Sequence, residues 1–175
     1  MRWGKPSKTK EPDNVDKAYD YAVFLLSLQL RTIGEVLHKM QKRGYSEKVI
    51  GEVVERLKGR HYLDDRRYAE IFLENLKAYR NFGYYGIKKK MMEKRLPLEL
   101  IESVLEESLP KAEELKIGKR LLAKEGYSIK DKEESEIQYS SYGEGQSEEQ
   151  RQKQKMANRL KNRGFRGDVI ARLLF

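Results

Sequence analysis

The sequence predicts an all-α protein in which three tandem three-helix repeats form an elongated, curved array. Three observations carry that expectation. Every strong apolar segment recurs at the helical period of about 3.6 residues, and none alternates as a half-buried strand would. The chain resembles itself at fixed offsets, the mark of stacked supersecondary units. With 38% hydrophobic and 37% charged residues over 175 positions, the composition supplies apolar stripes and a heavily solvated surface, and it disfavours a thick buried sheet.

Residues 1–15 read as a basic flexible tail. The opening MRWGKPSKTKEP carries Arg2, Lys5, Lys8 and Lys10 with two prolines and a glycine, too little apolar surface to offset ordering. Ala18, Ala22, Leu25, Leu26 and Gln29 then recur at helical spacing behind an acidic start at Asp13 or Asp16, which predicts a first helix over 16–30. Thr32 can cap a second over 33–43, striped by Ile33, Val36, Leu37 and Met40 and ended by Gly44, a residue that tolerates the left-handed C′ position. Ser46 opens a third, with Val49, Ile50, Val53, Val54 and Leu57 on its apolar face.

An offset of 51 pairs Met40 with Met91, Ile50 with Ile101 and Val53 with Val104. An offset of 120 pairs Met40 with Leu160, Gly44 with Gly164, Tyr45 with Phe165 and Ile50 with Ile170. The segments MQKRGYSEKVIGEVV, MMEKRLPLELIESVL and LKNRGFRGDVIARLL are thus three versions of one unit: helix, tight turn with an aromatic or Leu plug, helix. In the middle version Arg95 replaces the glycine and Pro97 sits where a helix can start, so a differently made turn is expected there. A helix in front of each unit, over 16–30, 65–79 and 110–124, completes repeats at 16–61, 62–109 and 110–175. The third repeat contains an acidic insertion, 126–150, with seven acids, two lysines and no apolar period, which reads as a solvated loop between that repeat's first two helices. Its net charge of −5 leaves the remaining residues at +14.

Catalytic groups do not converge in this pattern, and no enzyme, cofactor or metal is expected. There is no Cys, and His38 and His61 lie in separate segments without ligand spacing. Asp64 and Asp65 could in principle hold Mg²⁺, but a metal site needs several converging carboxylates, whereas an Asp before RRYAEIFLENL serves as an N-cap or first-turn residue. Phosphate-binding glycine loops and nucleophile elbows are absent. The longest apolar stretch, 22–30, is far shorter than the roughly 20 residues that cross a bilayer, and the start lacks the features of a secretory leader. A cytoplasmic monomer without a membrane segment is the expectation.

Charge clustering is more informative. The overall charge is +9, and it concentrates in two runs. Residues 77–95 hold seven cations against Glu93, among them Lys77, Arg80, Lys88, Lys89, Lys90 and Lys94; residues 151–175 hold eight against Asp168, among them Arg159, Arg163 and Arg166. These nine are the candidate binding residues, on a shared basic surface for an acidic partner such as weakly bound single- or double-stranded DNA or a nucleoprotein. The interleaved Tyr79, Phe82, Tyr84 and Tyr85 read as core or boundary residues more readily than as base-stacking platforms. A DNA-reading helix-turn-helix fits poorly: the third helices open with Ser46, Glu47 and Lys48, with Pro97, Leu98 and Glu99, and with Arg166, Gly167 and Asp168, and two of these sets look wrong for a major groove.

The stretch YLDDRRYAEIFLENLKAYRNFGYYGIKKKM resembles the RecX family of regulators of the RecA recombinase. The resemblance rests on Tyr62, Leu63, Asp64 and Asp65 as an opening motif, Tyr68 and Ala69 as an aromatic-Ala pair, and Gly83 followed by Ile87 on a basic helix. The closing RGFRGDVI is similar to that family's last repeat. Two positions depart from the family pattern: Leu76 stands where an Arg is usual, and Gly86 where a basic residue often precedes the Ile. The acidic insertion also exceeds the family's short connector. The resemblance implies a non-enzymatic modulator that binds in the groove of RecA assembled on DNA, bridges neighbouring protomers and restrains recombinase and coprotease activity in recombination, DNA repair and the SOS response. The alternative reading is a general basic nucleic-acid-binding repeat protein that acts without RecA.

Overall fold

The computed structural model of the protein describes residues 8–127 and 148–175. Among these it is helical throughout, with no strand: α1 (Val15–Leu28), α2 (Ile33–Arg43), α3 (Glu47–Gly59), α4 (Asp65–Asn75), a π-helical segment (Leu76–Arg80), α5 (Tyr84–Glu93), α6 (Leu98–Ser108), α7 (Lys111–Lys124), α8 (Glu148–Asn162) and α9 (Gly167–Leu174). No described helix is long and apolar enough to cross a membrane. The chain divides into two compact units, the first comprising Met1–Phe72 with Lys90–Glu102 and the second Leu73–Lys89 with Ser103–Phe175. This division cuts across the repeat boundaries drawn from the sequence pattern, because α4, α5 and α6 each contribute residues to both units.

In the first unit, α1, α2 and α3 pack on one another. Ala18 and Ala22 of α1, Val36 and Met40 of α2, and Ile50, Val53 and Leu57 of α3 form its core. Burying each large aliphatic side chain contributes about 1.5–3 kcal/mol. α1 is capped by Asn14, whose side chain accepts the Lys17 N–H at 3.0 Å, not by the expected aspartates; Asp16 lies in the first turn instead. Part of the expected tail is engaged as well. The Thr9 N–H donates to the Arg43 carbonyl at 2.8 Å and the Ser46 N–H to the Pro12 carbonyl at 3.0 Å, so residues 8–14 fasten to the end of α2 and the start of α3. Residues 1–7 lie outside the described part.

The second and third helices of all three repeats are joined by the same turn. The N–H of Tyr45, Leu96 or Phe165 reaches back to the carbonyl of Met40, Met91 or Leu160, and each of these plugs is buried. This is a Schellman-type closure around a left-handed residue. The expectation of a different turn at Arg95 is therefore corrected: Arg95 adopts φ 59°, close to the 75° of Gly164, and accepts the left-handed conformation that glycine takes without a Cβ penalty.

In the second unit α9 packs on α7 and α8, and Leu105, Leu109, Ile117, Leu121, Leu122, Leu160, Phe165 and Leu173 are buried. The helix expected to run regularly over 65–79 gives way to the π-helical segment at Leu76 and stops at Asn81, a left-handed residue at φ 50°. Most of the acidic insertion, residues 128–147, lies outside the described part. Its first two residues, Gly126 and Tyr127, close α7, and Glu148 to Gln150, expected in the loop, form the first turn of α8.

Candidate functional site

A helix begins with orphan amides, and the way α5 satisfies its own fixes the basic helix in place. Gly83 supplies no side-chain cap. Its N–H donates to the Arg163 carbonyl at 3.0 Å, the Tyr84 N–H to Glu114 Oε1 at 3.0 Å, and the Tyr85 and Gly86 N–H groups to the Gly164 carbonyl at 2.8 and 3.3 Å. The backbones approach so closely that a Cβ on Gly86 would lie 2.2 Å from the Arg163 oxygen, and one on Gly164 2.1 Å from the Gly86 nitrogen. Glu114 is fully buried, at 0% exposure, and also accepts the Arg166 N–H at 2.9 Å and the Arg166 Nε–H, which pairs the two charges. Arg166 extends further, donating to the Leu109 carbonyl at 3.2 Å and covering the Tyr84 ring at 4.9 Å.

The first unit contains the counterpart of this joint. The α2 start carries its own capping box, Thr32 with Glu35, and the Ile33 N–H donates to Asp65 Oδ1 at 2.8 Å. The Thr32 hydroxyl donates to the Lys94 carbonyl at 2.6 Å, and Gly34 lies where a Cβ would meet the Arg95 carbonyl at 2.5 Å. Partial burial pushes the Asp65 carboxyl up; the Ile33 N–H pulls it down, and neighbouring Asp64 and Glu35 raise it further. Burial works against the Lys94 cation, but Tyr68 and Glu35 outweigh it and hold its pKa above the usual lysine range.

These joints account for several of the candidate cations. In the second unit Lys77, only 13% exposed at its side chain, bonds Glu74 at 2.8 Å and the Ser108 carbonyl at 3.2 Å. Arg159 donates twice to Glu125 Oε1, at 3.1 and 2.8 Å; Arg163 donates to the Arg80 carbonyl at 2.7 Å and covers the Phe82 ring at 5.1 Å; Arg166 belongs to the Glu114 joint. In the first unit Lys94 reaches Glu35 at 3.3 Å and the Phe72 ring at 5.8 Å, and Lys90 pairs with Glu93 at 2.7 Å. Arg80 and Lys89 are exposed, and Lys88 is half-buried. On α5 the fully buried Ile87 and Met91, four residues apart, define the inner face, and Lys89 lies exposed between them. Tyr79 and Tyr85, read from sequence as core or boundary residues, are instead 77% and 58% exposed.

Most of the motif residues lie in caps or in the packing. Asp64 caps α4 by accepting the Arg67 N–H at 2.9 Å, the role expected of it, while Asp65 caps α2. Leu63, Ala69 and Ile87 are buried, Tyr68 is half-buried against Phe72 at 5.7 Å, and Tyr62 is exposed. A Cβ on Gly83 would lie 2.4 Å from the Phe165 Cα. The two departures from the family pattern fall in the same category: Leu76 is buried, and Gly86 is the close approach described above. Glu114 was missing from the sequence reading. The signal for it is register, since Glu114, Ile117, Gly118, Leu121 and Leu122 share one buried helical stripe. Among the described residues no group of three or more His, Cys, Asp or Glu is placed to hold a metal ion.

Comparison with known proteins agrees with this architecture. The family model for the first three-helix domain of RecX matches residues 18–57. The regulatory protein RecX of Trichlorobacter lovleyi is 28% identical over 155 residues, 89% of this chain and 92% of that protein. The regulatory protein RecX of Caldanaerobacter subterraneus subsp. tengcongensis is 33% identical over 62% of this chain and 54% of its own length, and that of a Geobacillus species is 33% identical over 53% of this chain but only 34% of its own length. A crystal structure of RecX from Lactobacillus salivarius shares the fold, with a TM-score of 0.70 at 22% identity over 91% of this chain and 93% of that one. A first-domain match on α1 to α3, relatives of one name along most of the sequence and a shared helical fold make the chain similar to RecX regulatory proteins.

Proposed function

We propose that the protein is a non-catalytic regulator that binds the filament of RecA recombinase on DNA and restrains recombinase activity, acting as a cytoplasmic monomer in recombination and DNA repair. The observation that carries this reading is the basic outer face of α5, where Lys89 is exposed, with Lys88 and Lys90 beside it, opposite the buried Ile87 and Met91. Similarity to RecX regulatory proteins supports the recombinase as partner. Charge supplies the DNA half, because each phosphate neutralised releases counterions and lowers the slope of log K on log salt by about 0.9 on duplex. Of the nine candidate cations, Lys77, Lys94, Arg159, Arg163 and Arg166 bond groups on other segments of the chain, and the reading places the contact chiefly on the exposed Arg80 and Lys89, with Lys88 and Lys90 on either side of Lys89.

The test is a titration of the protein into RecA hydrolysing ATP on single-stranded DNA. Inhibition at well below one chain per recombinase subunit is expected. Unchanged hydrolysis at every ratio, with DNA binding retained, would place the protein among general basic nucleic-acid-binding repeat proteins.

A further inference from the structure

The π-helical segment Leu76–Arg80 interrupts the regular ladder, and π turns concentrate at functional sites. Two of its carbonyls are occupied by side chains from elsewhere in the second unit. Arg120 of α7 donates from Nη2 to the Lys77 carbonyl at 3.0 Å, and Arg163 donates from Nη1 to the Arg80 carbonyl at 2.7 Å. Between those carbonyls stands Tyr79, 77% exposed, followed by the exposed side chain of Arg80. A guanidinium carries five N–H donors, so a single carbonyl bond leaves donors for another acceptor. Glu74, the acid on the preceding turn, is paired with Lys77.

We propose that this segment is a single-strand contact site, in which Tyr79 stacks on an unpaired base while Arg80, Arg120 and Arg163 meet the flanking phosphates. An aromatic face set among cations is the composition that binds single strands with little sequence preference, since every base offers a π-face. A duplex hides those faces in its stack and can use only the arginines. An acidic protein surface would likewise use the arginines and leave the ring idle. The inference rests on the reading that this chain meets DNA, and it adds both the form of DNA preferred and the residue responsible.

The experiment measures binding of the full chain to a labelled oligothymidylate of about 20 nucleotides, and to a duplex of equal length, by fluorescence anisotropy. Tyr79→Ala should weaken single-strand binding about 5- to 150-fold while leaving duplex binding within about twofold, and Tyr79→Phe should restore it. The melting temperature should not change, because the ring is exposed. Arg80→Ala should lower the magnitude of the single-strand salt slope by about 0.7. Unchanged single-strand affinity in Tyr79→Ala, or an equal loss on both DNA forms, overturns the inference. So does a loss seen only when recombinase is present, which would assign the patch to a protein partner. If the wild type inhibits recombinase ATPase while Tyr79→Ala binds single strands normally, the regulator reading stands and this inference alone fails.

Discussion

The helices α2 and α5 start in equivalent places in successive repeats, yet they are held by opposite means. α2 caps itself: Thr32 and Glu35 close a capping box, and the Ile33 N–H looks to a neighbouring repeat, to the half-buried Asp65. α5 has no cap of its own, and its first four amides are taken by the Arg163 and Gly164 carbonyls and by the fully buried Glu114. A self-capped end carries its stabilisation locally. One capped by its neighbours is fixed only once those neighbours are folded around it, so the position of the basic helix depends on the third repeat. The comparison also shows why the nine candidate cations are not equivalent. Arg166 is engaged by Glu114, the acid that caps α5, and the Arg163 side chain by the Arg80 carbonyl, whereas Lys89 is left to the surface.

The largest expected break is at Glu114. Glu114→Ala leaves the Tyr84 and Arg166 amides and the Arg166 guanidinium without their acceptor, and removing one partner of a buried pair costs about 3–5 kcal/mol. Urea unfolding should show that loss, and amide exchange should show it concentrated in the second unit. Asp65→Ala removes a single acceptor beside an intact capping box and should cost about 1–2 kcal/mol.

The two turns supply a second contrast. At Gly164 an added Cβ would strike the Gly86 backbone in a left-handed residue, so Gly164→Ala should cost about 2–4 kcal/mol. At the equivalent position of the middle repeat Arg95 already bears a Cβ at φ 59°, and Arg95→Gly should change stability by no more than about 1 kcal/mol, since relief of strain opposes the added freedom of the unfolded chain. Thermal melts of both variants check the pair.

The smallest effect is in pH dependence. Burial raises the Asp65 pKa above its unfolded value, so the folded state binds that proton more tightly. Its favourable contribution is complete below the unfolded value near about 3.9 and is lost as pH rises through the folded value. Asp65→Asn keeps an acceptor for Ile33 and should be at least as stable as the wild type at neutral pH, with the advantage shrinking on acidification. A wild type that loses more stability than the variant between mild acid and neutrality supports this sign, and the reverse order refutes it.

Periodicity and self-similarity made the helices and the plugs Tyr45, Leu96 and Phe165 legible in the sequence, because burial of one stripe per helix leaves a trace in the chain itself. The bounds of α2 fall where Thr32 and Gly44 place them. What sequence does not show is which polar residues the packing consumes. Glu114 lies among Lys111, Glu113 and Lys116 and reads as a solvated acid until its register with Ile117 and Leu121 is noticed. The close approach of the Arg95 carbonyl to Gly34 and of the Arg163 carbonyl to Gly86 leaves no trace in the sequence pattern. The internal bonds of Arg163 and Arg166 and the exposure of Tyr79 likewise depend on tertiary placement, which a charge count cannot resolve.

On the proposed reading the outer face of α5 touches the partner while Glu114 and the carbonyls of Arg163 and Gly164 hold that helix in place. That contact is tested most directly by reversing charge at Lys88, Lys89 and Lys90 together and measuring inhibition of RecA ATPase on single-stranded DNA. The surface pair of Lys90 with Glu93 should be lost, worth under about 1 kcal/mol, and the variant should keep its helical circular dichroism. A folded protein that no longer inhibits is expected; a folded triple variant that inhibits like the wild type would move the contact off α5.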